Sequence, residues 1–166
     1  MTDNLRTIMV SINKPHSENI KKGFKTIEVR KSKPKGVFKA FIYETKKTGG
    51  CGKVIGEFIC NASYPIKVFE NGSIQYWEFL HLCRTCLSYD ELAHYIGNGK
   101  TGFGWVISYL KIYDKPKELN EFYTWKKCNS CHISGYESTA CRYDIDCKVP
   151  VPLERPPQSW MYVNEF

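Results

Sequence analysis

Lys25, Glu28 and Arg30 fall within six residues of one another, and together they could build a polar recognition site. A carboxylate placed beside two cations stays ionised and accepts hydrogen bonds from an amide or amino edge, while the cations face an anion. The same groups also suit hydrolysis, with Glu28 activating water and Lys25 stabilising an oxyanion. The competing reading of the alternation is an edge strand that simply carries its charges outward.

The flanking residues specify what must hold these groups. Thr7 to Ile12 alternates as a strand with Ile8, Val10 and Ile12 on one face, and Pro15 suits the first turn of a short helix ending near Lys22. Gly23 stops that helix, and Thr26 to Arg30 has the period of a half-buried strand, so Thr26, Glu28 and Arg30 point to one side. Val37 to Tyr43 and Lys53 to Cys60, separated by a Gly-rich turn, predict a hairpin. Ile74 to Cys83 has helical spacing, and Ser88 with Glu91 forms a capping box for a helix closed by Gly97. Gly102 to Ile112 reads as a loosened turn and a strand. Near Glu118 to Phe122 a helical turn is expected, and Pro156 to Val163 leads into a final strand.

A second chemistry resides in Cys128, Cys131, Cys141 and Cys147, spaced C-x₂-C-x₉-C-x₅-C. Four thiolates from one loop can close a tetrahedron on zinc, and with no open position for water such an ion would be structural. Reduced thiols or a redox pair are the alternatives. Cys83 and Cys86 form another C-x₂-C, which burial on a helix face explains without a metal. His16, His81, His94 and His132 are scattered and read as structural or surface residues.

Across its 166 residues the chain carries a net charge of +7, but residues 1–50 hold 12 Lys/Arg against 4 acids while residues 51–166 hold 12 against 13. The basicity is therefore N-terminal, with Lys21, Lys22, Lys31, Lys33, Lys35 and Lys39 able to track phosphates or to form a plain solvated surface. No run approaches a membrane-spanning length, and Met1 to Val10 has no secretory pattern, so a cytoplasmic protein without membrane contact is expected. The composition excludes disordered and collagen-like classes. One domain over residues 1–166 is expected, with 124–150 as a cysteine-rich insertion and a monomer as the default state.

The stretch Gly23-Phe24-Lys25-Thr26-Ile27-Glu28-Val29-Arg30 resembles the Gly-x-Lys-x-x-Glu-x-Arg hallmark of the ASCH family of the PUA-like superfamily. Phe41 to Thr45, Val54 to Phe58, Tyr95 to Gly97 and Gly102 to Ile107 resemble that family's later elements. The resemblance implies an α+β fold, a PUA-like small β-barrel with flanking helices, here bearing the cysteine-rich and zinc-stapled loop. It also implies a cleft for RNA, a nucleotide or a modified base. Some members bind RNA, some are ribonucleases, and a bacterial branch hydrolyses the amide of N4-acetylcytidine with a lysine, a threonine and a glutamate. That lysine falls on Lys25, whereas the threonine position falls on Glu28, so the hydroxyl is absent there.

The expectation is an RNA- or nucleotide-binding module with Lys25 and Glu28 at the chemical centre and Lys14, Arg30, Tyr43, Thr45 and Trp105 contacting the ligand. Tyr43, Tyr95, Phe103 and Trp105 are the aromatic rings placed to stack a base, core packing being the alternative for each. A ribonuclease, an N4-acylcytidine amidohydrolase and a phage-related regulator are the other functions compatible with the sequence.

Overall fold

The computed structural model describes residues 5–75, 79–127 and 148–166. In chain order the elements are β1 (Arg6–Ile12), α1 (Lys14–Lys21), β2 (Ile27–Arg30), β3 (Phe38–Glu44), β4 (Val54–Cys60), β5 (Ser63–Lys67), α2 (Phe79–Thr85), α3 (Tyr89–Ile96), β6 (Thr101–Val106), β7 (Ser108–Lys117), β8 (Phe122–Lys127), β9 (Lys148–Pro152), β10 (Trp160–Tyr162) and β11 (Asn164–Glu165). Single 3-10 turns occupy Lys46–Thr48 and Leu119–Glu121.

The central sheet has the order β10-β1-β3-β4-β7. Alternation in β1 predicts one buried face, yet Met9 is as inaccessible as Ile8 and Val10. The reason is a second cover. Ile8, Val10 and Ile12 pack with Ile20, Phe58 and Trp105 on one side, while Met9 packs with Phe41, Phe122, Leu153 and Val163 on the other. Each such side chain contributes about 1.5–3 kcal/mol on burial, so Phe122, Leu153 and Val163, all beyond Pro116, are part of the core.

β1 and β3 run parallel, with Ile12 opposite Glu44, which requires a crossover. That crossover is α1 followed by β2, the stretch carrying the charged trio. β3 and β4 form the expected antiparallel hairpin. α3 opens with the expected reciprocal Ser88–Glu91 capping box and is closed by Gly97 at φ +95°.

Three expectations are corrected. Among the described residues the strands do not close into a barrel: β2-β6-β5 and β11-β8-β9 form separate three-stranded sheets. The chain leaves β6, paired with β2 and β5, and enters β7, paired with β4, at Ile107, whose N–H donates to Thr26 O. The stretch from Gly102 to Ile112 is thus two strands of two sheets. In the Ile74–Cys83 region the described helix is Phe79–Thr85, and Ile74 is not helical but bridges Val68 in extended conformation.

Cys83 is exposed and Cys86 half-buried, so the apolar-face reading fails for Cys83. Cys128, Cys131, Cys141 and Cys147 lie outside the described residues. Strands β8 and β9 pair up to Lys127 opposite Lys148. No helix among the described residues is long and apolar enough to cross a membrane.

Candidate functional site

The turn after α1 is what brings the first cation inward. Gly23 has φ +76°, a conformation glycine adopts without steric cost, and the N–H groups of Phe24 and Lys25 both donate to Asn19 O. The chain therefore folds back under α1 before β2 begins. Lys25 ends only 2% exposed, with Nζ donating to Thr85 O at 2.6 Å. Thr85 is the last residue of α2, whose terminal carbonyls lack intrahelical partners and favour a cation.

β2 pairs antiparallel with β6, Glu28 opposite Trp105 and Arg30 opposite Phe103. All four β2 residues are buried, which corrects the half-buried reading and removes the solvent-facing edge strand as an account of the charges. Arg30 Nη2 contacts Glu28 Oε1 at 2.9 Å and donates to Ser11 O at 2.6 Å. Lys25 Nζ ion-pairs with Glu28 Oε2 at 3.4 Å. One carboxylate is thus held between two cations, each anchored to a backbone carbonyl of a different element.

Burial alone would raise the Glu28 pKa, but Lys25, Arg30 and His16 outweigh it and hold the carboxyl below the usual range. His16 is pushed down by burial and then by Lys25 and Arg30, against the opposing pull of Glu28. At neutral pH the site therefore presents an ionised carboxylate, two cations and a neutral imidazole. Even so, Glu28 Oε2 and Arg30 Nε are buried with no hydrogen-bond partner among the described residues. A buried polar group without a hydrogen-bond partner costs free energy.

These atoms border a cavity of about 200 Å³ lined by Ser11, Asn13, His16, Lys25, Glu28, Val29, Arg30, Leu87 and Tyr95. That is smaller than the roughly 300–1,000 Å³ of a typical drug-sized site, so it suits one small polar ring. Ser11 is pinned by its hydroxyl donating to Pro157 O at 2.6 Å. Asn13 accepts from Thr45 Oγ1 through Oδ1 at 2.7 Å, which leaves its NH₂ as a donor. Lys31 Nζ lies 5.4 Å from the centre of the Tyr95 ring, and Lys33 bonds Ser63 while lying over Phe103.

Of the residues expected to contact a ligand, the cavity brings together Lys25, Glu28 and Arg30. Thr45 reaches it only through Asn13. Lys14 lies outside, in an i,i+4 ion pair with Glu18. Tyr43 belongs to the opposite face of the central sheet. Trp105 is fully buried and packs edge-on against Phe38 and Trp160, so neither ring offers a stacking face. The close approach that Gly102 permits is to Ile96 and Arg30 O, not to a ligand above Trp105. Within the basic stretch, Lys21 and Lys39 are committed to Glu44 and Glu57.

The sequence reading misses Ser11, Asn13, His16 and Leu87 and leaves Tyr95 as one ring among several. His16 had a usable signal: it opens the same helix whose end delivers Lys25. Leu87 had none, since its placement depends on the left-handed turn at Cys86, φ +53°.

No family model matches the chain, and no curated protein matches its sequence. Among solved structures it is similar to ASCH from Zymomonas mobilis, at 17% identity and TM-score 0.53 over 95% of this chain and 87% of that one. Two mutant forms of that protein match at 16% identity, with TM-scores of 0.52 and 0.51. The chain has the fold of an ASCH domain.

Proposed function

We propose that this protein is an RNA- or nucleotide-binding module that takes a single base into the cavity bounded by Lys25, Glu28 and Arg30. The observation that carries the reading is that Glu28 Oε2, ion-paired to Lys25 at 3.4 Å, and Arg30 Nε are both buried without a hydrogen-bond partner among the described residues, beside a space of about 200 Å³. A heterocyclic edge offers the donor and acceptor they lack. The ASCH-like fold supports the same reading.

Around the cavity the charge is positive. Lys31, Lys33 and Lys35 follow β2 directly and are exposed, as is Lys22 at the end of α1, so a phosphate backbone outside the cavity meets cations. Half-buried Tyr95, with Lys31 over its ring, is the aromatic group at the site. Binding is favoured over hydrolysis because a carboxylate held below its ordinary pKa is a weak general base near neutral pH.

The test is fluorescence anisotropy with single-stranded RNA. With about three phosphate contacts, affinity should fall roughly twentyfold between about 50 and about 200 mM salt. Tyr95→Ala should weaken binding with this salt dependence unchanged, whereas Lys31→Ala should reduce the dependence itself. Salt-independent binding, or none, contradicts the reading.

A further inference from the structure

The order of polar groups in the cavity is more selective than their mere presence. Lys25 and Arg30 flank Glu28 on opposite carboxylate oxygens, at 3.4 Å from Oε2 and 2.9 Å from Oε1. Lysine and arginine only donate, and an ionised carboxylate only accepts. The cavity therefore presents donor, acceptor, donor. Asn13 adds to the donor side, since its carbonyl is already taken by Thr45.

From this we infer that the base taken by the cavity is one with an imide edge, uracil or thymine, an inference that rests on the nucleotide-binding reading above. Such an edge runs carbonyl, N–H, carbonyl, the complement of the protein's sequence of groups. Its N3–H meets Glu28 Oε2, which Lys25 approaches to 3.4 Å but which accepts no hydrogen bond among the described residues, and its O4 and O2 face the two cations. Cytosine places the lone pair of N3 where the imide has its proton, so it sets an acceptor against the carboxylate. Adenine does the same with N1. Guanine keeps one carbonyl and the N1–H but carries an amino group where the imide has its second carbonyl, so it sets a donor against one of the two cations.

Each mismatch strands a buried charged group, and the loss expected is about tenfold or more in affinity. The ring size agrees with the space, which is that of a single heterocycle with its sugar outside.

The experiment is a comparison on the unmodified protein of short oligouridylate, oligocytidylate, oligothymidylate and oligouridylate methylated at N3, read by anisotropy or calorimetry. The expected result is binding of the uridine and thymidine oligomers at least about tenfold tighter than the cytidine and N3-methyluridine ones. Uridine over thymidine would identify RNA as the source of the imide; the reverse would identify DNA. Equal binding of all four, or tighter binding of cytidine, overturns the imide inference and leaves the cavity reading standing. Failure of every base, adenine and guanine oligomers included, overturns both.

Discussion

Replacing Glu28 by glutamine keeps the shape of the side chain and removes the only acidic group among the lining residues. Lys25 and Arg30 then face each other without a counter-charge while both remain buried. Removing one partner of a buried pair costs about 3–5 kcal/mol. Here each cation keeps a carbonyl acceptor at 2.6 Å, Thr85 O for Lys25 and Ser11 O for Arg30, and glutamine retains a neutral acceptor oxygen. The expected cost is therefore lower, about 2–3 kcal/mol. For a domain of this length that is a fall in Tm of roughly 4–12 °C. Urea unfolding should show a lower midpoint with an unchanged slope. Lys25→Met, damaging in the natural protein because it leaves Glu28 with one cation fewer, should cost less when added to E28Q, because it then removes an uncompensated charge. A Tm for E28Q within about 1 °C of the natural protein, with additive effects in the double variant, would refute the claim that the three charges are coupled.

Glu44 gives a pH test. Burial opposes its ionisation, but hydrogen bonds from Ser17, Cys51 N–H and Lys21 bring its pKa to about 2. A depressed native pKa stabilises above the unfolded value and loses that stability as pH falls, so about 3 kcal/mol should disappear between about pH 4.5 and about pH 2. Urea midpoints measured across that window should be flatter in Glu44→Gln. Gly102→Ala should destabilise by about 1–3 kcal/mol, since a Cβ there would meet Ile96 Cγ1 at 2.8 Å; calorimetry that finds it neutral would mean α3 can shift away from β6. For the cysteine quartet we propose one structural zinc per chain, to be measured by elemental analysis, with chelation lowering Tm; metal-free protein with an unchanged Tm would exclude it.

The charged trio was legible because glycine, lysine, glutamate and arginine stand in one contiguous stretch, and strand alternation alone puts Glu28 and Arg30 on one side. The β3–β4 hairpin and the α3 capping box were legible for the same local reason: turn glycines and a reciprocal Ser–Glu pair act over a few residues. What failed depends on contacts remote in sequence. The second cover over Met9 is built from Phe122, Leu153 and Val163, and nothing near Met9 announces it. The transfer of the chain between sheets at Ile107 rests on a bond to Thr26. Trp105 was misleading because it is fully buried, and the close approach at Gly102 is to Ile96 and Arg30 O, not to a ligand. The aromatic lining the cavity, Tyr95, sits at the end of a helix that only the tertiary fold brings to β2.

The most direct measurement follows the Arg30 Nε–H resonance by NMR during titration with a short single-stranded oligonucleotide. This buried proton has no acceptor among the described residues, so a base entering beside it should shift and slow the exchange of that signal, with a saturation curve matching the affinity measured by anisotropy. Binding that saturates while Arg30 Nε–H stays unmoved would place the nucleic acid elsewhere and contradict the account.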